Sequence, residues 1–246
     1  MDTTLIYVGA VFALAGFVKG AVGLGLPTIA MGLLAVIMPP VEAAAILVLP
    51  SFVTNVWQMV AGPSLGTVVK RLWPMMLAIC AGTWAPSWAG LGLMTGASAR
   101  CSAFLLGAAL VLYAVAGLAA APFRLPKEWE RFAGPAAGLV TGVITAATGV
   151  FAIPAVPCLQ AFGLSKEELV QALGLSFTVS TAALAVNVAV EGAFGAVAAG
   201  TTVVALSLAC AGMWFGQMVR LRMAPAVFRR WFFLGLLALG MYLMGR

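Results

Sequence analysis

The sequence has no histidine, and only 8% of its 246 residues are charged. Without histidine there is no His-ligated metal site, no His proton relay and no His-ligated haem. The acidic residues are Asp2, Glu42, Glu128, Glu130, Glu167, Glu168 and Glu191, and none lies in the middle of an apolar run. Cys80, Cys101, Cys158 and Cys210 sit in apolar segments and form no C-x-x-C pair. They read as small buried hydrophobes, so neither a metal nor a cofactor is expected. Polar sequence is scarce too: the longest polar stretch, Pro122 to Arg131, is too short for a separate soluble domain.

What is present is apolar. At 63% hydrophobic residues, the chain reads as an all-α integral membrane protein, multi-pass and almost entirely embedded in a bacterial-type cell membrane. The net charge of +6 would suggest nucleic acid in a soluble protein. Here the basic residues fall between spans and set orientation, so the bilayer is the expected partner and nucleic acid is not. Asp2 and the lack of an early Lys or Arg differ from the basic start of a signal peptide, so the first apolar run is read as a span.

Two Gly-flanked breaks interrupt this apolar pattern. Gly16-Phe-Val-Lys-Gly20 runs into Gly23-Leu-Gly25-Leu-Pro27, and Gly138-Leu-Val-Thr-Gly142 runs into Thr145-Ala-Ala-Thr148-Gly149, with Pro154 and Pro157 beyond. A first helix over about 4–22 precedes a short piece over 28–38, and a helix over 134–148 precedes a short piece over 150–163. Each short piece is too short for a hydrocarbon core of about 30 Å and is read as a re-entrant half-helix. Spans follow at 43–61, 72–90 and 101–120 in the first half, and at 169–190, 196–216 and 231–245 in the second, giving eight full-length or nearly full-length spans.

The halves resemble each other in residues as well as in hydropathy. Gly16 and Gly20 recur as Gly138 and Gly142 at an offset of 122, and Pro50-Ser51-Phe52 recurs as Leu175-Ser176-Phe177 at an offset of 125. The predicted organisation is a first membrane repeat over 1–121, a cytoplasmic linker over 122–133 and a second repeat over 134–246. Each repeat holds a broken helix pair followed by three transmembrane helices. If each pair returns the chain to its starting side, ten cations lie inside: Lys70, Arg71, Arg124, Lys127, Arg131, Lys166, Arg220, Arg222, Arg229 and Arg230. Only Arg100 and Arg246 then lie outside, and Lys19 lies in the membrane. The repeats are then inverted and both termini are outside.

An inverted repeat brings the two breaks together near the midplane, where half-helix N-termini offer unpaired N–H groups to an anion. The substrate-binding candidates at the breaks are Gly23, Gly25, Pro27, Thr28, Thr148 and Gly149. Lys19, the one cation deep in a span, joins them. Ser51, Thr54 and Asn55 on the Pro50 helix, with Ser176 and Ser180 on its repeat mate, supply further polar groups, and interhelical hydrogen bonding competes as their role. The G-x-x-x-G pairs at 16–20 and 138–142, and Gly212 with Gly216, read as close helix packing. Glu42 and Glu168 stand at helix starts, where a carboxylate complements the dipole, with proton coupling as the alternative.

Taken together, these residues resemble the TauE/SafE sulfite exporter family, also called the toluene sulfonate uptake permease family. The resemblance rests on the two Gly-rich breaks, each followed by a Pro-containing short helix and then a Ser/Thr-bearing helix, and it covers nearly the whole chain. The family usually carries a G-x-G-G-G-like run in both halves; here the runs are Gly23-Leu-Gly25-Leu-Pro27 and Thr148-Gly149-Val-Phe-Ala-Ile-Pro154. The resemblance implies a transporter, not an enzyme, for sulfite, sulfonates or related small organic anions. Two other readings stay open: a cation transporter or channel, and a thiol-redox or cofactor-insertion protein resting on Pro157-Cys158. A homo-oligomer is compatible with all three.

Overall fold

The computed structural model describes residues 3–89, 99–119, 124–220 and 225–245, without the side chains of 99, 100, 196, 220 and 225–229. Asp2, Arg222 and Arg246 therefore lie outside the described residues, as do the side chains of Arg100, Arg220 and Arg229. Among the described residues the fold is all-α. The helices are α1 (Thr3–Val22), α2 (Leu26–Leu34), α3 (Pro40–Val60), α4 (Leu65–Trp88), α5 (Ala99–Ala119), α6 (Lys127–Thr148), α7 (Ala155–Ala161), α8 (Lys166–Val190), α9 (Ala199–Arg220) and α10 (Pro225–Met244). A 3-10 turn, Ala193–Ala196, follows α8.

Six of these helices are long and apolar enough to cross a membrane: α1, α3, α4, α5, α8 and α9. The difference from the eight expected spans has a local cause. Helix α6 starts at Lys127, inside the expected linker, so its first two turns carry Lys127, Glu128, Glu130 and Arg131. In α10 the described apolar helix, Arg230–Met244, is a shorter one. Helix α4 likewise starts before its apolar run and takes in Lys70 and Arg71.

Both breaks fall where the sequence places them. Helix α1 closes with the Gly23 N–H donating to the Lys19 carbonyl at 2.7 Å. Gly23 and Gly25 have φ values of +82° and +103°, a region that side chains with a Cβ rarely adopt. Pro27 then occupies the first turn of α2, where no N–H is required. Helix α6 ends on Gly149 in the left-handed region, its N–H donating to the Thr145 carbonyl at 2.8 Å. At nine and seven residues, α2 and α7 span only about 10–14 Å. The second short helix is thus shorter than the 150–163 piece expected, because residues 149–154 are non-helical.

Each broken pair brings the chain back to the end of the molecule where it started. Tyr7, near the start of α1, donates to the Leu33 carbonyl at the end of α2 at 2.9 Å. Leu125, just before α6, donates its N–H to the Ala161 carbonyl at the end of α7 at 2.8 Å. Helix α3 then carries the chain about 31 Å to the opposite end. There Gln171, near the start of α8, donates to the carbonyls of Met59 and Gly62 at 2.9 and 2.8 Å.

The main packing pairs are α1 on α9, α4 on α6, α3 on α8 and α5 on α10. Exchanging the first five helices for the second five maps this set onto itself. The centre belongs to α3 and α8, whose apolar windows are 56% and 67% buried, against 22% for α9.

Glycine makes the outer pairs close. A Cβ at Gly16 or Gly20 would collide with the carbonyls of Ala209 or Met213 on α9, and one at Gly212 or Gly216 with those of Ala13 or Phe17 on α1. In the other half, Gly138 and Gly142 meet the carbonyls of Met75 and Ile79 on α4, and Gly82 meets that of Leu139 on α6. The expected packing role of the G-x-x-x-G pairs is therefore seen directly.

Candidate functional site

The centre of the molecule is polar on the α3–α8 seam. Lys19 projects from the last turn of α1 and is buried, with 3% of its surface exposed. Its ammonium donates to Thr54 Oγ1 at 3.2 Å and to Asn55 Oδ1. Pro50 lies inside α3, and Thr54 donates its own hydroxyl proton back to the Pro50 carbonyl at 2.8 Å. That leaves a Thr54 lone pair for Lys19. With Asn55 Oδ1 on Lys19, its amide Nδ2 donates to Thr181 Oγ1 on α8 at 3.3 Å. Thr181 in turn donates to the Phe177 carbonyl at 2.6 Å. The network thus runs one way, from a cation in the first half to a carbonyl in the second.

Lys19 has no carboxylate within salt-bridge distance among the described residues; the one ion pair found there joins Arg71 to Glu130. An ammonium has three donors, and two are used. A buried charge neutralised only by neutral oxygens is costly, and a bound anion would offset that cost.

Buried hydroxyls with no hydrogen-bond partner among the described residues occur on the same helices, Ser51 on α3 and Ser176 and Ser180 on α8, and on α6 at Thr141. A buried polar atom left unpaired costs about 1–3 kcal/mol, which a ligand oxygen would relieve. The 122-residue offset makes Thr141 the repeat mate of Lys19, and the 125-residue offset pairs Ser51 with Ser176 and Asn55 with Ser180. The site is thus cationic in one half and hydroxylic in the other.

The break residues divide. Gln58 on α3 ties Gly23 to the cluster's helix by donating to its carbonyl at 3.2 Å, and to that of Val170 at 3.1 Å. Among the described residues, no hydrogen bond within the chain uses the N–H groups of Leu24, Gly25, Leu26 or Thr28. Thr28 is buried and Gly25 lies beneath Phe232, whose ring would be 3.0 Å from a Cβ there. On the other side, Thr148 and Gly149 are engaged locally. Thr148 Oγ1 donates to the Ile144 carbonyl at 2.7 Å and accepts from the Val150 N–H at 3.2 Å. Phe151 packs on Phe177 with ring centroids 5.4 Å apart.

Glu42 and Glu168 lie away from this cluster. Glu168 completes a capping box, accepting from the Ser165 N–H at 2.9 Å while its own N–H donates to Ser165 Oγ at 3.2 Å. Glu42 stands in the first turn of α3. Each is twelve residues, about 18 Å of helix, from Thr54 or Ser180 respectively. The four cysteines form no disulfide, and Cys158 Sγ sits 3.7 Å from the Ala133 carbonyl. Thr181, like Ser176 and Ser180, is among the polar groups the sequence offers on the repeat mate of the Pro50 helix, whereas Thr141 is not singled out, because a Thr in an apolar helix carries no signal of what it faces.

A cation without a carboxylate, spare hydroxyls and interrupted helices all suit an anion. The family model described as Sulfite exporter TauE/SafE matches residues 8–243. The chain belongs to that family. As a TauE/SafE member with six candidate spans, it is a multi-pass membrane protein of a transporter family. Comparison with curated proteins and with solved structures returned no match.

Proposed function

We propose that this TauE/SafE protein carries small oxyanions such as sulfite, sulfonates or related organic acids across the cell membrane, in the direction of export. The observation that carries the reading is Lys19: a buried ammonium at a helix break, with one unused donor and no carboxylate partner. A buried ammonium would repel a transported cation, and among the described residues no carboxylate stands in this network to offset it. The substrate site comprises Lys19, Thr54, Asn55, Ser51, Ser176 and Ser180, with N–H groups of the first break at Gly23, Gly25 and Thr28. Pro27 fixes the start of that half-helix, and Thr148 with Gly149 shapes the second break.

Alternating access through two inverted repeats is supported by the packing set that maps onto itself and by the two pairs that return to their starting ends. In this reading both termini face outside, and the ends of α4, α6 and α8 that carry Lys70, Arg71, Lys127, Arg131 and Lys166 face the cytoplasm. Moving one charge through the membrane potential is worth about 2.3 kcal/mol for each ~100 mV. With the inside negative, an anion leaves downhill without a coupled ion. Uptake would need coupling, for which Glu42 and Glu168 are the candidate carboxylates.

The test is anion flux in proteoliposomes, with sulfite, a sulfonate and a carboxylate compared. Lys19→Ala should raise the half-saturating anion concentration about 10- to 100-fold, the worth of one charge-assisted hydrogen bond. Lys19→Arg should retain part of the affinity. Unchanged affinity in Lys19→Ala would overturn the assignment. Cys158→Ala should leave flux intact.

A further inference from the structure

A second basic site lies where α4, α6 and the end of α7 meet. An open pocket of about 220 Å³ is lined by Arg71, Lys127, Glu130 and Arg131 and by an apolar floor that includes Met75 and Pro135. Its charge is +2, from three cations and one carboxylate. The carboxylate is already committed: Arg71 Nε and Nη2 donate to the two Glu130 oxygens at 3.0 and 2.6 Å. Arg71 Nη2 also donates to the Phe162 carbonyl at 2.9 Å. The two N–H groups of Arg71 Nη1 remain without a partner in the described chain.

Lys127 and Arg131 are four residues apart, so they share one face of α6. Neither has a carboxylate within salt-bridge distance among the described residues. The Arg131 guanidinium rests over the Phe132 ring, 4.6 Å from its centroid, which orients the charge without neutralising it. Trp129 and Phe132 beside them are exposed, as is Trp73 on α4, the residue composition of a membrane–water boundary. Arg71 is thus a fixed guanidinium fork with one edge free, sharing a pocket with two further cations and an apolar floor. A tetrahedral, multiply charged oxyanion at the boundary satisfies that arrangement.

We propose that this pocket binds a phosphate group, separately from the transport site. The phosphate of an anionic phospholipid headgroup and free inorganic phosphate share this chemistry, and the apolar floor favours the former.

The test uses the full chain purified in a neutral detergent. Thermal unfolding is followed against added cardiolipin, phosphatidylglycerol, phosphatidylcholine or inorganic phosphate. Anionic lipid should raise the unfolding midpoint in a saturable way. The Lys127→Gln/Arg131→Gln double variant should need about tenfold more of it or more, while Arg131→Lys stays near wild type. Saturation by inorganic phosphate alone, lost in the double variant, supports the site and assigns it to the free ion. Equal stabilisation by phosphatidylcholine, or an anionic-lipid response that the double variant leaves unchanged, overturns it. If the double variant does not fold, the single Lys127→Gln and Arg131→Gln variants carry the same comparison. Binding, not flux, is read, so the result is independent of the Lys19 assignment.

Discussion

At the scale of single residues, the centre of the molecule turns on how Lys19 is held. Its partners are an amide oxygen and a hydroxyl, not a carboxylate. This predicts the behaviour of Asn55→Asp. A carboxylate at that position would form an ion pair with Lys19 and act as a built-in anion. The variant should fold with an unchanged or raised unfolding midpoint, yet lose anion flux. Wild-type flux in a folded Asn55→Asp protein would show that Lys19 does not meet the substrate. Lys19 itself was legible in the sequence, because a lone cation in an apolar run stands out against any background. Its link to Thr181 was not: that contact depends on the register between α3 and α8, 126 residues apart in sequence. The same holds for Thr141, whose buried hydroxyl becomes notable only once it is found without a partner.

At the scale of elements, the glycines decide how near the helices come. Gly20 on α1 and Gly142 on α6 each face a carbonyl on the neighbouring helix. Gly20→Ala and Gly142→Ala should each lower stability by about 1–3 kcal/mol, read as a fall in unfolding midpoint, because a methyl group there overpacks a backbone contact. Gly66→Ala on α4 and Gly200→Ala on α9 should leave the midpoint unchanged or slightly raised, since open space surrounds both positions. Equal losses at all four would refute the packing account. The G-x-x-x-G spacing announced a packing face. It did not say which helix would be met, since any apolar helix with small residues could have served. Helix starts were also hard to read from hydropathy. The helices α4 and α6 begin at Leu65 and Lys127, before their apolar runs, because a helix continues past the hydrocarbon edge and its charged turns sit in the headgroup region.

At the scale of the whole molecule, the arrangement has a directional consequence. Helix α1 starts at one end and α6 at the other, since α3 crosses the molecule between them. The proposed topology puts both termini outside and the α6 start inside. A tag fused after Arg246 should be reached by an impermeant protease only from the outer face. A thiol introduced by Lys127→Cys in a cysteine-free background should be labelled only from the cytoplasmic face. A tag reached only from the cytoplasm would defeat the inverted arrangement and, with it, the convergence of the two breaks.

The sequence by itself determined the class of protein, the two breaks and the lone buried cation. These follow from composition and local pattern: an apolar run must be helical in lipid, and glycine and proline clustered within a few residues favour a break in the helix. Only the tertiary structure decided that Lys19 meets Thr54 and Asn55, that hydroxyls on α3, α6 and α8 are buried without a partner, and that Arg71 shares a pocket with Lys127 and Arg131. Those facts rest on which helices cross and in what register. The forces that choose a neighbour inside a membrane are close packing and a few hydrogen bonds, and both depend on shapes that no single stretch of sequence contains.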